Sequence, residues 1–77
     1  MISLDEILER EYDVVCMSYE NLKKVVAEAT ERVLSGSADP IAFDISRATS
    51  NDDMFILSFS YNGFGYMSTE VYINAEN

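Results

Sequence analysis

A chain of 77 residues has room for one domain, near the size where roughly 60% of the unfolded surface becomes buried, so the core is thin. Fourteen Asp and Glu stand against five Lys and Arg with no His, a net charge of −9 that repels phosphate polyanions and attracts basic surfaces. A basic protein, and not a nucleic acid, is therefore the expected partner.

Apolar residues make up 48% of the chain, which is too hydrophobic for a disordered acidic tail, and part of that apolar surface is expected in an interface. Cys16 is the single cysteine, so no intrachain disulfide forms; a buried thiol in a reducing cytosol is expected. The N-terminus carries acids where a secretory signal has bases, and no apolar run approaches the ~18 residues of a membrane span. A soluble cytoplasmic protein with no membrane association is expected, in its host or in an infected cell.

In chain order, Ser3-Leu4-Asp5-Glu6 reads as a capping box that opens a helix. Apolar residues recur at Leu4, Leu8, Tyr12, Val15, Tyr19, Leu22, Val26, Ala29 and Val33, one helical stripe that favours a continuous or kinked helix to about Ser35. The β-branched cluster Tyr12-Asp13-Val14-Val15-Cys16-Met17 supports an alternative, a short strand splitting the helix in two. Ser18 then caps the second half, and Glu20 with Lys24 and Glu28 with Arg32 form i,i+4 pairs. Ser35-Gly36-Ser37-Ala38-Asp39-Pro40 ends the helical half in either case.

The second half reads as strands. Ile41, Phe43 and Ile45 alternate with Ala42, Asp44 and Ser46; a polar turn at Thr49-Ser50-Asn51-Asp52-Asp53 precedes Met54 to Tyr61. Asn62-Gly63 fits a two-residue type I′ turn that sets Tyr61 opposite Phe64, with a last strand to about Ile73. The expected fold is α+β, an N-terminal helix (residues 1–35) packed on a three-stranded antiparallel meander (residues 41–74) in a single domain.

That register puts Phe55, Leu57, Phe59, Tyr61, Phe64, Tyr66, Ser68, Glu70 and Tyr72 on one face. The other carries Met54, Ile56, Ser58, Ser60, Gly65, Met67, Thr69, Val71 and Ile73. A single helix covers one face, which leaves the other for a partner or a second copy. The aliphatic face suits the helix, and the aromatic face, with Phe59, Tyr61, Phe64 and Tyr66, is assigned to the partner; the reverse assignment is nearly as good.

The acids concentrate at the two ends of the sequence, with a net charge of −4 over residues 1–13 and −5 from residue 39 onward. Asp5, Glu6, Glu9 and Asp13 have helical spacing, about 6 Å per four residues. Asp44, Asp52 and Asp53 lie in or beside turns and strands. Carboxylates at such intervals present a pattern similar to phosphates along a DNA strand.

No catalytic motif is present. Without His, Ser-His-Asp and Cys-His catalysis are excluded within one chain. Ser50-Asn51-Asp52-Asp53 lacks the spaced acids of an EF-hand, and Gly63-Phe64-Gly65 has no third Gly or following Lys. A non-enzymatic protein with no cofactor and no metal is expected.

Leu4-Asp5-Glu6-Ile7-Leu8-Glu9-Arg10-Glu11 and Ser50-Asn51-Asp52-Asp53-Met54-Phe55-Ile56-Leu57 resemble the helix and strand entry of the uracil-DNA glycosylase inhibitor family, phage-encoded DNA mimics. In size and acidity the chain is similar to anti-CRISPR proteins. The resemblance implies a stoichiometric inhibitor, of phage or mobile-element origin, that covers a basic nucleic-acid-binding surface of a defence or DNA-processing enzyme. The alternative is a homodimeric or toxin-neutralising protein that binds through its apolar sheet face, which predicts a dimer dissociated by Phe59→Asp.

Overall fold

The computed structural model describes residues 2–9, 14–36, 40–50, 52–61 and 65–73. Two helices lie on one face of a four-stranded mixed sheet, in the order α1 (Leu4–Glu9), β1 (Val14–Met17), α2 (Tyr19–Leu34), β2 (Ala42–Arg47), β3 (Met54–Tyr61) and β4 (Gly65–Ile73). The α+β class agrees with expectation, and the antiparallel strands β2, β3 and β4 are part of a larger, four-stranded mixed sheet.

α1 starts at the expected cap. The Ser3 hydroxyl accepts from the Glu6 N–H at 3.2 Å, and the Glu6 carboxylate turns back to that hydroxyl at 3.5 Å. Leu4 and Ile7, one helical turn apart, enter the core, while Leu8 is half-buried.

The continuous helix is not formed. Residues 14–17 are a strand that pairs in parallel with the end of β4, Val14 with Glu70 through Met17 with Ile73. The stripe of the 3–4 spacing coincides here with the two-residue alternation of a strand: Val15 and Met17 are buried, Val14 and Cys16 exposed. Pairing with a strand more than fifty positions away settles the choice that local spacing left open.

Ser18 then opens α2. Its backbone is extended (φ −72°, ψ 161°) and its hydroxyl accepts from the Asn21 N–H at 3.1 Å. Leu22, Val25 and Ala29 form the buried stripe. Glu28 pairs with Arg32 at 3.0 Å as expected, whereas Glu20 meets Lys23 at 3.3 Å. The helix stops where the Ser35 N–H donates to the Glu31 carbonyl and Gly36 takes a positive φ of 77°.

In the sheet order β1-β4-β3-β2, β2, β3 and β4 are antiparallel neighbours, and β1, the strand of the alternative reading, adds a fourth strand beside β4. The expected hairpin register is displaced by one residue, because Tyr61 pairs with Gly65 and not with Phe64. Gly65 has φ +79°, a left-handed conformation that glycine adopts without steric cost. The Asn62-Gly63 turn itself lies outside the described residues. A one-residue slip transfers every β4 side chain to the opposite face. Met67, Thr69, Val71 and Ile73 therefore join Phe55, Leu57, Phe59 and Tyr61 under the helices, and Tyr66, Ser68, Glu70 and Tyr72 join Met54, Ile56, Ser58 and Ser60 outside.

The core is one continuous layer between sheet and helices. Leu4, Ile7, Leu22, Val25 and Ala29 from the helices meet Val15, Met17, Leu57, Phe59, Met67 and Val71 from the sheet. Phe59, 0% exposed, stacks at 5.1 Å on Phe43 from the neighbouring strand. Thr69 is also 0% exposed, and its hydroxyl has no hydrogen-bond partner among the described residues.

Candidate functional site

Among the described residues the helices cover one face of the sheet and leave the other open. Direct pairing puts four cross-strand rows on it: Cys16, Tyr72 and Met54; Val14, Glu70, Ile56 and Ser46; Ser68, Ser58 and Asp44; Tyr66, Ser60 and Ala42. Apolar side chains concentrate toward β1, while hydroxyls fill the other half, with Ser58 and Ser68 Oγ 3.4 Å apart. Tyr66 is 66% exposed and Val14 49%; Met54, Ile56 and Tyr72 are half-buried with no helix above them.

The charges on this face are carboxylates. Asp44 and Glu70 are exposed on it, two strand spacings and two residues apart, about 12 Å by sheet geometry. At its lower end the β2–β3 turn exposes Asp52 and Asp53, and the Ile73 N–H donates to the Asp53 carbonyl at 2.8 Å, holding that turn against β4. Among the described residues no Lys or Arg stands on the open face. Lys23, Lys24 and Arg32 belong to α2. Arg47 shares the helix-side row of Phe55, lies 4.9 Å above that ring and donates to the Asp52 carbonyl at 3.2 Å.

The acids of α1 are arranged differently. Asp5 Oδ1 meets Arg32 at 2.9 Å, and the same guanidinium holds Glu28. The hydrogen bond from Arg32, reinforced by its charge, holds the Asp5 carboxyl below its ordinary pKa, and the contact with Asp5 raises that of Arg32. Glu6 and Glu9 are exposed, and Asp13 lies outside the described residues. Asp5, Glu6 and Glu9 belong to the helical layer and Asp44, Asp52 and Asp53 to the sheet and its turn, so the two acidic sets do not merge into one row.

The aromatic candidates separate as well. Phe59 is core, so Phe59→Asp would report on folding and not on association. Tyr61 is half-buried on the helix side, its hydroxyl directed to Met67 Sδ at 3.6 Å. Tyr66 stands on the open face, and Phe64 lies outside the described residues. Sequence reasoning placed Glu70 and Tyr72 on the uncovered face but put Met54 and Ile56 under the helix, and it did not include Val14 and Cys16 in the sheet surface. The aliphatic alternation Met67-Thr69-Val71-Ile73 indicated the helix side of β4, and the displaced register attached the wrong face of β3 to it. Cys16, expected to be buried, is exposed on this face.

Among the described residues no His, Cys, Asp and Glu groups gather as metal ligands would, and no helix is long and apolar enough to cross a membrane. Comparison with protein-family models, curated proteins and solved structures finds no match.

Proposed function

We propose that this protein is a small acidic inhibitor, encoded by a phage or mobile element, whose open sheet face covers a basic nucleic-acid-binding surface of a host defence or DNA-processing enzyme. The observation that carries the reading is the sheet face without helical cover, apolar on its β1 side and furnished with Asp44, Glu70, Asp52 and Asp53. The carboxylates steer association with a basic partner and fix its orientation. Ile56, Tyr72 and Met54 supply apolar surface that water leaves when the partner closes over it.

The acids act here as stand-ins for phosphates, and in that sense the protein is a DNA mimic of the anti-CRISPR type. The acids of the sheet and its turn, and not the α1 row, make the contact, because Asp5 already has Arg32 as its partner. A homodimer through the same face would set like charges against each other on two bodies of −9, which opposes self-association.

Capture from a bacterial host lysate on the tagged protein tests the reading. A basic nucleic-acid-binding protein, released by moderate salt and competed by DNA, is the expected result. Recovery of a neutral or acidic partner indifferent to salt and DNA would reject it.

A further inference from the structure

On the opposite side of the molecule, β2 is an edge strand whose outer side is unpaired among the described strands. The Ala48 N–H donates to the Met54 carbonyl at 3.0 Å, which fixes the phase of the β2–β3 ladder. By antiparallel alternation Ala42, Asp44 and Ser46 bond to β3, while Phe43, Ile45 and Arg47 turn their N–H and C=O groups outward. Those groups form a template for another strand.

Beside this edge, on the helix side, lies a groove of about 410 Å³. Its walls are Tyr19, Leu22, Val26 and Ala27 of α2, with Ile45 and Phe55 of the sheet. A strand added to β2 directs alternate side chains to the row of Phe43, Ile45 and Arg47, of which Ile45 lines this groove and Arg47 lies over Phe55 in its wall. Two cations, Lys23 and Arg47, stand beside the groove. Lys23 lies 5.7 Å from the Tyr19 ring centroid and is partly offset by Glu20, and Arg47 stacks on Phe55.

We infer that the β2 edge and the α2–β2 groove form a second binding site, which takes an extended segment of a partner protein with a large apolar residue opposite Ile45 and a carboxylate opposite Arg47. Main-chain hydrogen bonds to Phe43, Ile45 and Arg47 hold the segment, and the alternate side chains read the groove. An opposite-charge cross-strand pair with Arg47 sets the preference for an acidic residue two positions from the apolar one. This site is separate from the open sheet face and does not depend on the function assigned to that face.

The probe is a library of random linear peptides displayed on phage and selected on the immobilised full-length chain, followed by titration of the enriched peptide, capped at both ends, into isotope-labelled protein. Selection should yield an acidic and a large apolar residue two positions apart. Amide shifts should concentrate in residues 42–48 and 19–27. Ala27→Glu, on the exposed groove wall, should weaken binding about tenfold, and Arg47→Glu should shift the preference from an acidic to a basic residue. Both positions are exposed, and thermal melting confirms that the variants fold. An absence of enriched peptides would overturn the inference, as would shifts centred on Val14, Ile56 and Tyr72, or unchanged binding in both variants. So would occupation of the β2 edge by a second copy of the chain, seen as concentration-dependent dimerisation that peptide does not displace.

Discussion

Asn21 is the polar residue on which the N-terminal segment depends. Its side-chain oxygen accepts from the Ile2 N–H and its amide donates to the Ile2 carbonyl, both at 2.8 Å, so one buried side chain satisfies both backbone groups of a residue nineteen positions away. Asn21→Ala strands these groups and should lower unfolding stability by about 2 kcal/mol, measurable in urea melts. Thr69 is the reverse case. Its hydroxyl is desolvated between Leu57 and the helices without a partner among the described residues, so Thr69→Val should leave stability unchanged or raise it by about 1 kcal/mol. At the surface, the lowered pKa of Asp5 means that its pairing with Arg32 stabilises the fold fully above about pH 4, and that this contribution is lost as pH falls through the depressed folded value. Melting temperatures of Asp5→Asn and wild type should therefore differ slightly at neutral pH and converge in acid; a gap that widens in acid would contradict the ion-pair account.

Elements were legible where a local signal sufficed. Ser3, Ser18 and Gly36 mark helix ends through the hydrogen bonds and backbone angles they provide, and the alternation of Phe43 and Ile45 marks β2. β1 was legible only as an alternative, because Val15 satisfies both the helical stripe and the strand alternation, and its partner Val71 is remote in sequence. The hairpin register failed for a related reason. Asn62-Gly63 and Gly65 are competing turn signals two residues apart, and with both faces of the strands apolar the hydrophobic pattern could not choose between them. Burial of Leu57 and Phe59 on the same side as Met67 and Val71, a property of the assembled core, selects the register with Gly65 at positive φ. Gly65→Ala tests this directly: no neighbour lies within 4 Å of an added Cβ, so the expected loss of about 1 kcal/mol comes from the backbone conformation alone. An unchanged melting temperature would mean that Gly65 does not hold the left-handed conformation.

For the molecule as a whole, that single slip decides which side chains the helices leave uncovered. The acidic excess was readable from composition, but the make-up of the uncovered face was not: Phe59 and Tyr61 lie on the helix side, and Met54 and Ile56, expected there, lie on the other face beside Glu70 and Tyr72. The body measures 33 × 22 × 18 Å. A stable protein interface takes about 800 Å² from each partner, so on a molecule of this size it needs most of a broad face, and the open sheet is such a face. The measurement that tests this most directly compares wild type with the double variant Asp44→Lys, Glu70→Lys in salt-dependent capture, with alkylation of Cys16 followed in each complex. The account predicts that wild type retains a basic nucleic-acid-binding protein which shields Cys16 from the reagent, and that the double variant, folded by circular dichroism, loses it. Equal retention by both proteins, with Cys16 as reactive in the complex as in the free chain, would place the contact elsewhere and contradict the central claim.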